Sequence, residues 1–235
     1  MFRKTLVVLM VLVTLVLSVV IVPSVFAAAP TSAVLAKGTL ASLPDEDVIF
    51  RIVDLTLKPS DAPVTHMHGA GMVYAISGTH VLNINGSNTS IQAGQAAWVE
   101  NQVSHTHGTD GQEATHFLFM YLWPISKKGA PMAPGFSNAS VVFESTALKF
   151  ADRKSLDVIL TDNSYAAGAD SGVRITDGPT MFSVQSGKFT LEIGDTSLVM
   201  QTGDYVAVQA KTAVRMVADA TAGGHVLTLS VTPSG

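Results

Sequence analysis

Residues 74–78, Tyr-Ala-Ile-Ser-Gly, and residues 92–95, Gln-Ala-Gly-Gln, are matched about 109 positions later by 183–187, Ser-Val-Gln-Ser-Gly, and 201–204, Gln-Thr-Gly-Asp. The same offset superposes the turn Asn85-Gly86 on Gly194-Asp195, and His116 on His225. Four coincidences at one offset are the signature of an internal repeat. The sequence therefore predicts two copies of one small domain in tandem.

Strand signals dominate both copies. Short runs rich in β-branched and aromatic residues alternate with glycine and asparagine, and Asn85-Gly86 between two such runs is typical of a tight hairpin. A proline-rich segment, 123–138, interrupts the pattern as a linker or a surface loop. We therefore predict an all-β chain with a first domain at 38–123, a linker at 124–147 and a second domain at 148–235.

The amino-terminal segment, 1–29, has the pattern of a secretory signal peptide. Arg3 and Lys4 precede an apolar run, Pro23 ends that run, and small residues follow at 27–29. A membrane anchor that stays uncleaved is the alternative, because roughly eighteen apolar residues approach the length of a span. Cleavage is favoured by the proline and the alanines, which predicts a secreted or extracytoplasmic protein.

Charge and cysteine content exclude several classes of function. The chain has 14 Lys and Arg against 18 Asp and Glu, and loss of the signal leaves a net charge of about −6, which argues against nucleic acid as a partner. The sequence contains no cysteine, so thiol chemistry and disulfides are excluded.

Histidine is concentrated in the first copy. Of seven histidines, only His225 lies in the second half. His66 and His68 stand two residues apart, and on a strand this spacing places both rings on one face, where one cation can contact both. A third histidine from a neighbouring strand would complete one side of a coordination shell and leave positions for water or substrate.

These features resemble the cupin superfamily, whose first motif is a His-x-His pair followed by a glutamate and a glycine. Its second motif has a glycine, a proline, another glycine and a histidine at fixed spacing. His66, His68 and Gly78 match the first motif, and Gly94 and His105 match the second. The resemblance implies two jelly-roll-like β-barrels, a bicupin, with metal ligands His66, His68 and His105.

Three departures from the family pattern bear on the metal. The glutamate position falls at Gly71, Met72 or Val73, none of which can ligate, while Glu100 and Gln102 stand where the second motif has its proline and glycine. The site therefore resembles the three-histidine variant, which implies a divalent ion: iron or manganese first, with zinc or nickel as alternatives. At the repeat offset the three ligand positions become Ile175, Asp177 and Val214, so no such site is expected in the second copy.

Other residues leave alternatives open. His107 is able to replace or join His105, His80 is expected to be a solvated strand residue, and His116 is expected to be structural. Glu100 is interpreted as an exposed loop residue rather than a base. Five aromatic residues are expected to fill the core rather than line a ligand cavity: Trp98, Phe117, Phe119, Tyr121 and Trp123.

Three functions are compatible with the sequence. The first is a metal-dependent enzyme, of the dioxygenase or decarboxylase type that the resemblance implies, acting on a small organic molecule. The second is an extracellular module that binds a sugar or an organic acid without catalysis. The third is a pair of structural barrels with vestigial histidines. We favour the enzyme, because the ligand histidines are kept together in one copy and lost together in the other. A homodimer is a further possibility, since cupins commonly pair through strand exchange or sheet packing.

Overall fold

The structure is a computed structural model that describes residues 28–131 and 138–234. Residues 1–27 of the predicted signal peptide lie outside this range. The described residues form eighteen strands: β1 (Thr31–Ser42), β2 (Val48–Leu57), β3 (Thr65–His66), β4 (Gly71–Ser77), β5 (Thr79–Ile84), β6 (Ser87–Gln92), β7 (Ala96–Val99), β8 (His105–Thr109), β9 (Thr115–Pro124), β10 (Ala139–Glu144), β11 (Lys154–Tyr165), β12 (Arg174–Ile175), β13 (Thr180–Ser186), β14 (Lys188–Ile193), β15 (Thr196–Gln201), β16 (Tyr205–Val208), β17 (Ala213–Ala218) and β18 (Gly224–Pro233). A single 3-10 turn spans Ile125–Lys127, and within the described residues no helix has the length and apolar character needed to cross a bilayer.

Two barrels of the same design follow one another, as the repeat predicts. In the first, a five-stranded sheet in the order β10-β2-β9-β4-β7 faces a four-stranded sheet in the order β3-β8-β5-β6. In the second, the orders are β1-β11-β18-β13-β16 and β12-β17-β14-β15. Every named strand pair is antiparallel. The predicted all-β fold of two jelly-roll barrels is confirmed.

Two strands cross between the barrels. Strand β1 precedes the first barrel in sequence but pairs with β11 of the second, and β10 precedes the second barrel but pairs with β2 of the first. The predicted boundaries differ from this arrangement, since 38–42 belong to the second barrel's sheet and the predicted linker, 124–147, contains β10. Glycine spacing reports repeats but does not show which sheet an edge strand joins. Strand exchange thus occurs inside one chain; a homodimer remains a prediction.

The two five-stranded sheets pack face to face around an apolar core shared by the barrels. Strand β9 shows how one strand serves two cores: Leu118 and Met120 face the shared core, whereas Phe117, Phe119 and Tyr121 face the interior of the first barrel. Because consecutive side chains point to opposite faces, both sets are buried. This double burial explains the unbroken apolar run of β9, which an alternating, half-exposed strand would lack.

Trp98 packs closely against a crossing strand of the other barrel. It lies on β7 and packs into the shared core against β1, where a Cβ added to Gly38 would overlap the indole ring. Glycine is therefore required at this position by close approach. Trp98 is a core residue, as predicted.

We expect Gly38→Ala to weaken the joint between the barrels. A methyl group with no space forces the indole or β1 to shift, at a cost of about 1–3 kcal/mol in the free energy of unfolding. Urea denaturation of the full chain measures this loss. The control is Gly108→Ala, since a Cβ at Gly108 meets only the Val81 carbonyl oxygen at 3.9 Å. Equal stability of the two variants would contradict the close packing of β1 on Trp98.

Candidate metal centre

The predicted ligand pair sits at the end of a short strand. His66 is the last residue of β3 and pairs with His105 of β8, so the register of two antiparallel strands places one ring from each motif side by side. The centroids of these two rings are 4.5 Å apart. His68 follows β3, and its own carbonyl oxygen accepts a hydrogen bond from the Gln102 amide at 2.9 Å. Both motifs therefore meet in one place.

Strand β8 contributes two rings rather than one. His105 and His107 are both buried, and their spacing of two residues puts them on the same face of the strand. His66, His68, His105 and His107 each offer a nitrogen, and these atoms all lie within 4.8 Å of one another. The structure thus brings together the three histidines predicted as ligands and adds His107 beside His105.

The spacing of the nitrogens fits a metal ion. His105 Nε2 lies 2.9 Å from His68 Nε2 and 3.2 Å from His107 Nε2. Two nitrogens bound at about 2.1 Å from one ion and at right angles are about 3.0 Å apart. Lone pairs directed at one point repel one another unless a cation lies between them. Four imidazoles are a donor set that suits iron, zinc, nickel or copper.

Backbone carbonyl groups set the tautomers of three of the rings. The Nδ1 atoms of His66, His68 and His105 lie 3.0, 2.7 and 2.8 Å from the carbonyl oxygens of Val64, Gly69 and Val103. A carbonyl oxygen only accepts, so Nδ1 carries the proton in each case and Nε2 presents a lone pair. Such contacts orient metal-binding histidines.

Burial favours the neutral form of three rings of the cluster, His68, His105 and His107, by lowering the pKa of each. Desolvation lowers the pKa of His68 to about 4 and, for His107, holds the pKa well below its ordinary value, with the neighbouring histidines adding to both shifts. The pKa of His105 is lowered for the same reason, although hydrogen bonding to Val103 opposes the shift. Neutral imidazole is the form that binds a metal.

The family's glutamate has no space in this barrel. A Cβ at Gly71 would lie 2.7 Å from both the Met120 carbonyl oxygen and the Phe119 ring, and that ring packs on His68 at 4.1 Å between centroids. Met72 and Val73, the other two positions considered for a carboxylate, are fully buried among apolar residues. His107, rather than a carboxylate, is the fourth potential donor of the cluster.

His80 departs from the expectation of a solvated residue. It is 0% exposed and points into the barrel, where its Nε2 lies 2.8 Å from His107 Nδ1. Burial lowers the pKa of His80 to about 3, with a smaller contribution from His105. The sequence of β5 does not show that His80 is buried, because the register of the strand decides whether a side chain faces the barrel interior or the solvent.

The remaining acidic and basic candidates lie away from the cluster. Glu100 is exposed, as expected. His116 Nε2 is 2.9 Å from Asp54, and His225 Nδ1 is 3.1 Å from Asp162. These two contacts occupy matching positions in the two barrels, in agreement with a structural role for His116.

A cavity of about 320 Å³ opens beside the cluster. One wall is formed by alternate residues of β9, namely Phe117, Phe119, Tyr121 and Trp123. Three of these, Phe117, Phe119 and Tyr121, also belong to the barrel core. They fill the core, as predicted, and they line the cavity as well. The wall extends from His68, against Phe119, to Trp123.

A buried ion pair closes the end of the cavity at Trp123. Arg51, on β2, is 1% exposed and lies 3.0 Å (Nη1 to Oε1) from Glu144, on the crossing strand β10. Its Nη2 donates to the Ala130 carbonyl oxygen at 2.5 Å, and its guanidinium lies 5.0 Å from the Trp123 ring centroid. Sequence analysis missed Arg51, since a charge within a strand is ordinarily on the solvent face.

The second barrel keeps the scaffold without the donors. Ile175 and Asp177 are exposed and Val214 is buried at the positions of the three predicted ligands, and Met216 is buried at the position of His107. Opposite each other on β1 and β11, Lys37 and Ile159 take the places of Glu144 and Arg51. In the part of the chain that the structure describes, the four-histidine group is the one cluster suited to a metal ion.

Known structures share this architecture. Vicilin from Corylus avellana (hazelnut) is similar over 85% of this chain and 84% of its own, with a TM-score of 0.56 and 11% identity. AerE from Microcystis aeruginosa is similar over 88% of this chain and 98% of its own, with a TM-score of 0.54 and 14% identity. The chain has the cupin fold, in two copies.

A third similar structure is a salicylate 1,2-dioxygenase from Pseudaminobacter salicylatoxidans. This bicupin-like match covers 78% of this chain and 70% of that protein, with a TM-score of 0.52 and 13% identity. No protein-family model and no curated protein sequence matches the chain. At such low sequence identities the similarity establishes the fold alone. The chemistry of this chain has to be argued from its own residues.

We expect the mature chain from residue 30, purified without chelator or histidine tag, to hold about one equivalent of a divalent metal. A His66→Ala, His105→Ala double variant removes two of the four donors and should hold almost none, whereas the control His225→Ala should match the parent. Elemental analysis by mass spectrometry gives the content and the identity of the metal. Equal metal in parent and double variant would contradict the site.

Proposed function

We propose that this bicupin is a metal-dependent enzyme that oxidises a small planar organic acid, with dioxygen as the oxidant. The observation that carries the proposal is the position of the four histidines at one end of a cavity with an aromatic wall and a buried arginine at the other end. Decarboxylation of the same class of acid is the second reaction that this site is suited to. The signal-like segment at 1–29 further leads us to propose that it acts outside the cytoplasm.

The cavity favours a small, flat substrate. Its volume of about 320 Å³ is near the lower limit of about 300–1,000 Å³ for small-molecule sites. The Phe119 and Tyr121 rings stack on each other at 27° and 4.7 Å between centroids and, with Trp123, give the cavity an aromatic wall. Contact with aromatic side chains favours a planar ring over a puckered sugar.

The charged end favours an acid. Arg51 Nε has no hydrogen-bond partner among the described residues, although the side chain is buried. Lys127 Nζ lies 5.3 Å from the centroid of the Trp123 ring, which Arg51 also contacts. This end of the cavity is therefore lined by two cations, of which Arg51 is paired with Glu144. A substrate carboxylate would gain charge-assisted hydrogen bonds here.

Tyr121 is a proton donor rather than a base in this cavity. Burial raises its pKa to about 12, and Glu144 adds to the shift while Arg51 opposes it. The hydroxyl therefore stays protonated at neutral pH and is able to donate a hydrogen bond to a substrate oxygen. The apolar walls exclude water and strengthen that bond.

The metal would supply the reactivity that these residues lack. An ion held by the four histidines would polarise substrate oxygens as a Lewis acid and, if redox-active, would transfer electrons to dioxygen. The chain's own contribution is to bind, orient and shield the acid. A salicylate dioxygenase among proteins of this fold supports, at the level of analogy, the choice of an aromatic acid.

Oxygen consumption tests the proposal. We expect the chain reconstituted with iron(II), which suits a four-imidazole donor set, to consume dioxygen in proportion to the amount of an aromatic hydroxy acid supplied, and not with the corresponding amide. An Arg51→Met, Glu144→Gln variant removes both buried charges together and should lose about tenfold or more in kcat/KM, because a charge-assisted hydrogen bond contributes about 1.5–3 kcal/mol. Its metal content should be unchanged.

Three other outcomes are distinguishable in the same experiment. Release of carbon dioxide without oxygen uptake would assign decarboxylation. Saturable binding of acids without turnover, whichever metal is supplied, would contradict the enzyme and support the non-catalytic binding module. An Arg51→Met, Glu144→Gln variant as active as the parent on acids would contradict the role of the charged end.

A further inference from the structure

His80 and His107 form a buried pair at the edge of the metal cluster. The two rings have centroids 5.0 Å apart, and the opposite side of His80 packs on Phe117 at 4.0 Å. The two histidines lie on neighbouring strands, where His80 pairs with Thr109 and Leu82 pairs with His107. Their ring contact is thus fixed by the ladder between β5 and β8.

The pair solves a problem specific to His107. To bind a metal through Nε2, a neutral ring must keep its proton on Nδ1 and donate it to an acceptor. The other three donors use carbonyl oxygens beside the short loops at 64, 69 and 103. His107 lies inside a strand ladder, and the atom opposite its Nδ1 is His80 Nε2 at 2.8 Å.

If His80 Nε2 accepts the hydrogen bond from His107 Nδ1, the tautomer of His80 is determined as well. Its own proton must then be on Nδ1, and that atom is buried without a hydrogen-bond partner in the described part of the chain. An unsatisfied buried donor costs about 1–3 kcal/mol. A residue chosen for stability alone would not carry this cost.

The second barrel shows what the fold uses in its place. Phe189 occupies the position of His80 and Met216 that of His107, and both are buried. The pairings correspond, since Phe189 lies opposite Ala218 as His80 lies opposite Thr109. The scaffold therefore accepts phenylalanine here, and histidine occurs at this position in the barrel that has the ligands.

We propose that His80 is a positioning residue for the metal centre, which holds His107 in the tautomer with Nδ1 protonated and so directs Nε2 at the ion. The inference rests on the proposed metal-dependent function. It assigns a role to a buried histidine that does not itself contact the ion.

The test compares His80→Phe with His80→Gln in the full mature chain. Affinity for cobalt(II) is measured by competition with a chelator, and the absorption spectrum of the bound ion reports its coordination. Loss of a partner to a metal ligand typically weakens binding about 10–100-fold, which is the effect expected for phenylalanine, together with a changed spectrum. Glutamine places a carbonyl oxygen near the position of Nε2 and should restore affinity to within about threefold of the parent.

Stability of the metal-free variants separates positioning from packing. The second barrel holds phenylalanine at this position, so metal-free His80→Phe should unfold at the same or a higher urea concentration than the parent. Weaker cobalt binding in a variant of undiminished stability supports the inference. Parental affinity in His80→Phe, or no rescue by His80→Gln, would overturn it, whereas failure of the parent itself to bind cobalt would overturn the metal centre.

Discussion

The register of strand β8 between β3 and β5 determines how His105 and His107 meet the histidines of the neighbouring strands. His105 lies opposite both His66 and Ile84, and two residues further His107 lies opposite Leu82. Since side chains alternate along a strand, a slip of one residue would turn both rings of β8 out of the barrel and separate His107 from His80. The position of the metal cluster is therefore a consequence of ordinary strand pairing between β3, β8 and β5.

Burying polar groups has a thermodynamic cost in the first barrel. The buried histidines have given up hydration, and so has Arg51, which is 1% exposed beside a Glu144 side chain that is 13% exposed. Buried ion pairs contribute little net stability compared with well-packed apolar residues. The second barrel has the apolar residues Phe189, Ile159 and Met216 at the positions of His80, Arg51 and His107. The fold therefore does not require these polar groups. Their concentration around one cavity is thus better explained by chemistry than by folding.

Much of this arrangement could be predicted from the sequence, for identifiable reasons. Gly78 and Gly187 have positive φ at matching turns. A backbone position that requires glycine can be recognised in a sequence, and the repeat of such positions predicted both barrels. His66, His68 and His105 could be named because motif spacing survives. His107 was only an alternative, since spacing alone does not show that Phe119 fills the carboxylate position. His80 and Arg51 were missed, and so were the exchanged strands, because burial and edge pairing depend on contacts between distant segments. The spacing of two residues between His105 and His107, which places both rings on one face of a strand, was the sequence signal available for His107.

Strand β9 shows why core and site are not separate categories in a barrel of this size. Its inward residues pack against the histidines at one end and against Arg51 at the other, so the side chains that stabilise the barrel also define the cavity. Its outward residues pack on the second barrel. The second barrel therefore acts on the site without contributing a donor, because it buries the opposite face of the strand that carries the aromatic wall. The crossing strand β10 acts more directly, since it brings Glu144 to Arg51. Loss of the histidines from the second copy is consistent with this division, in which one barrel holds the ion and the other fixes the sheet from which the cavity is built.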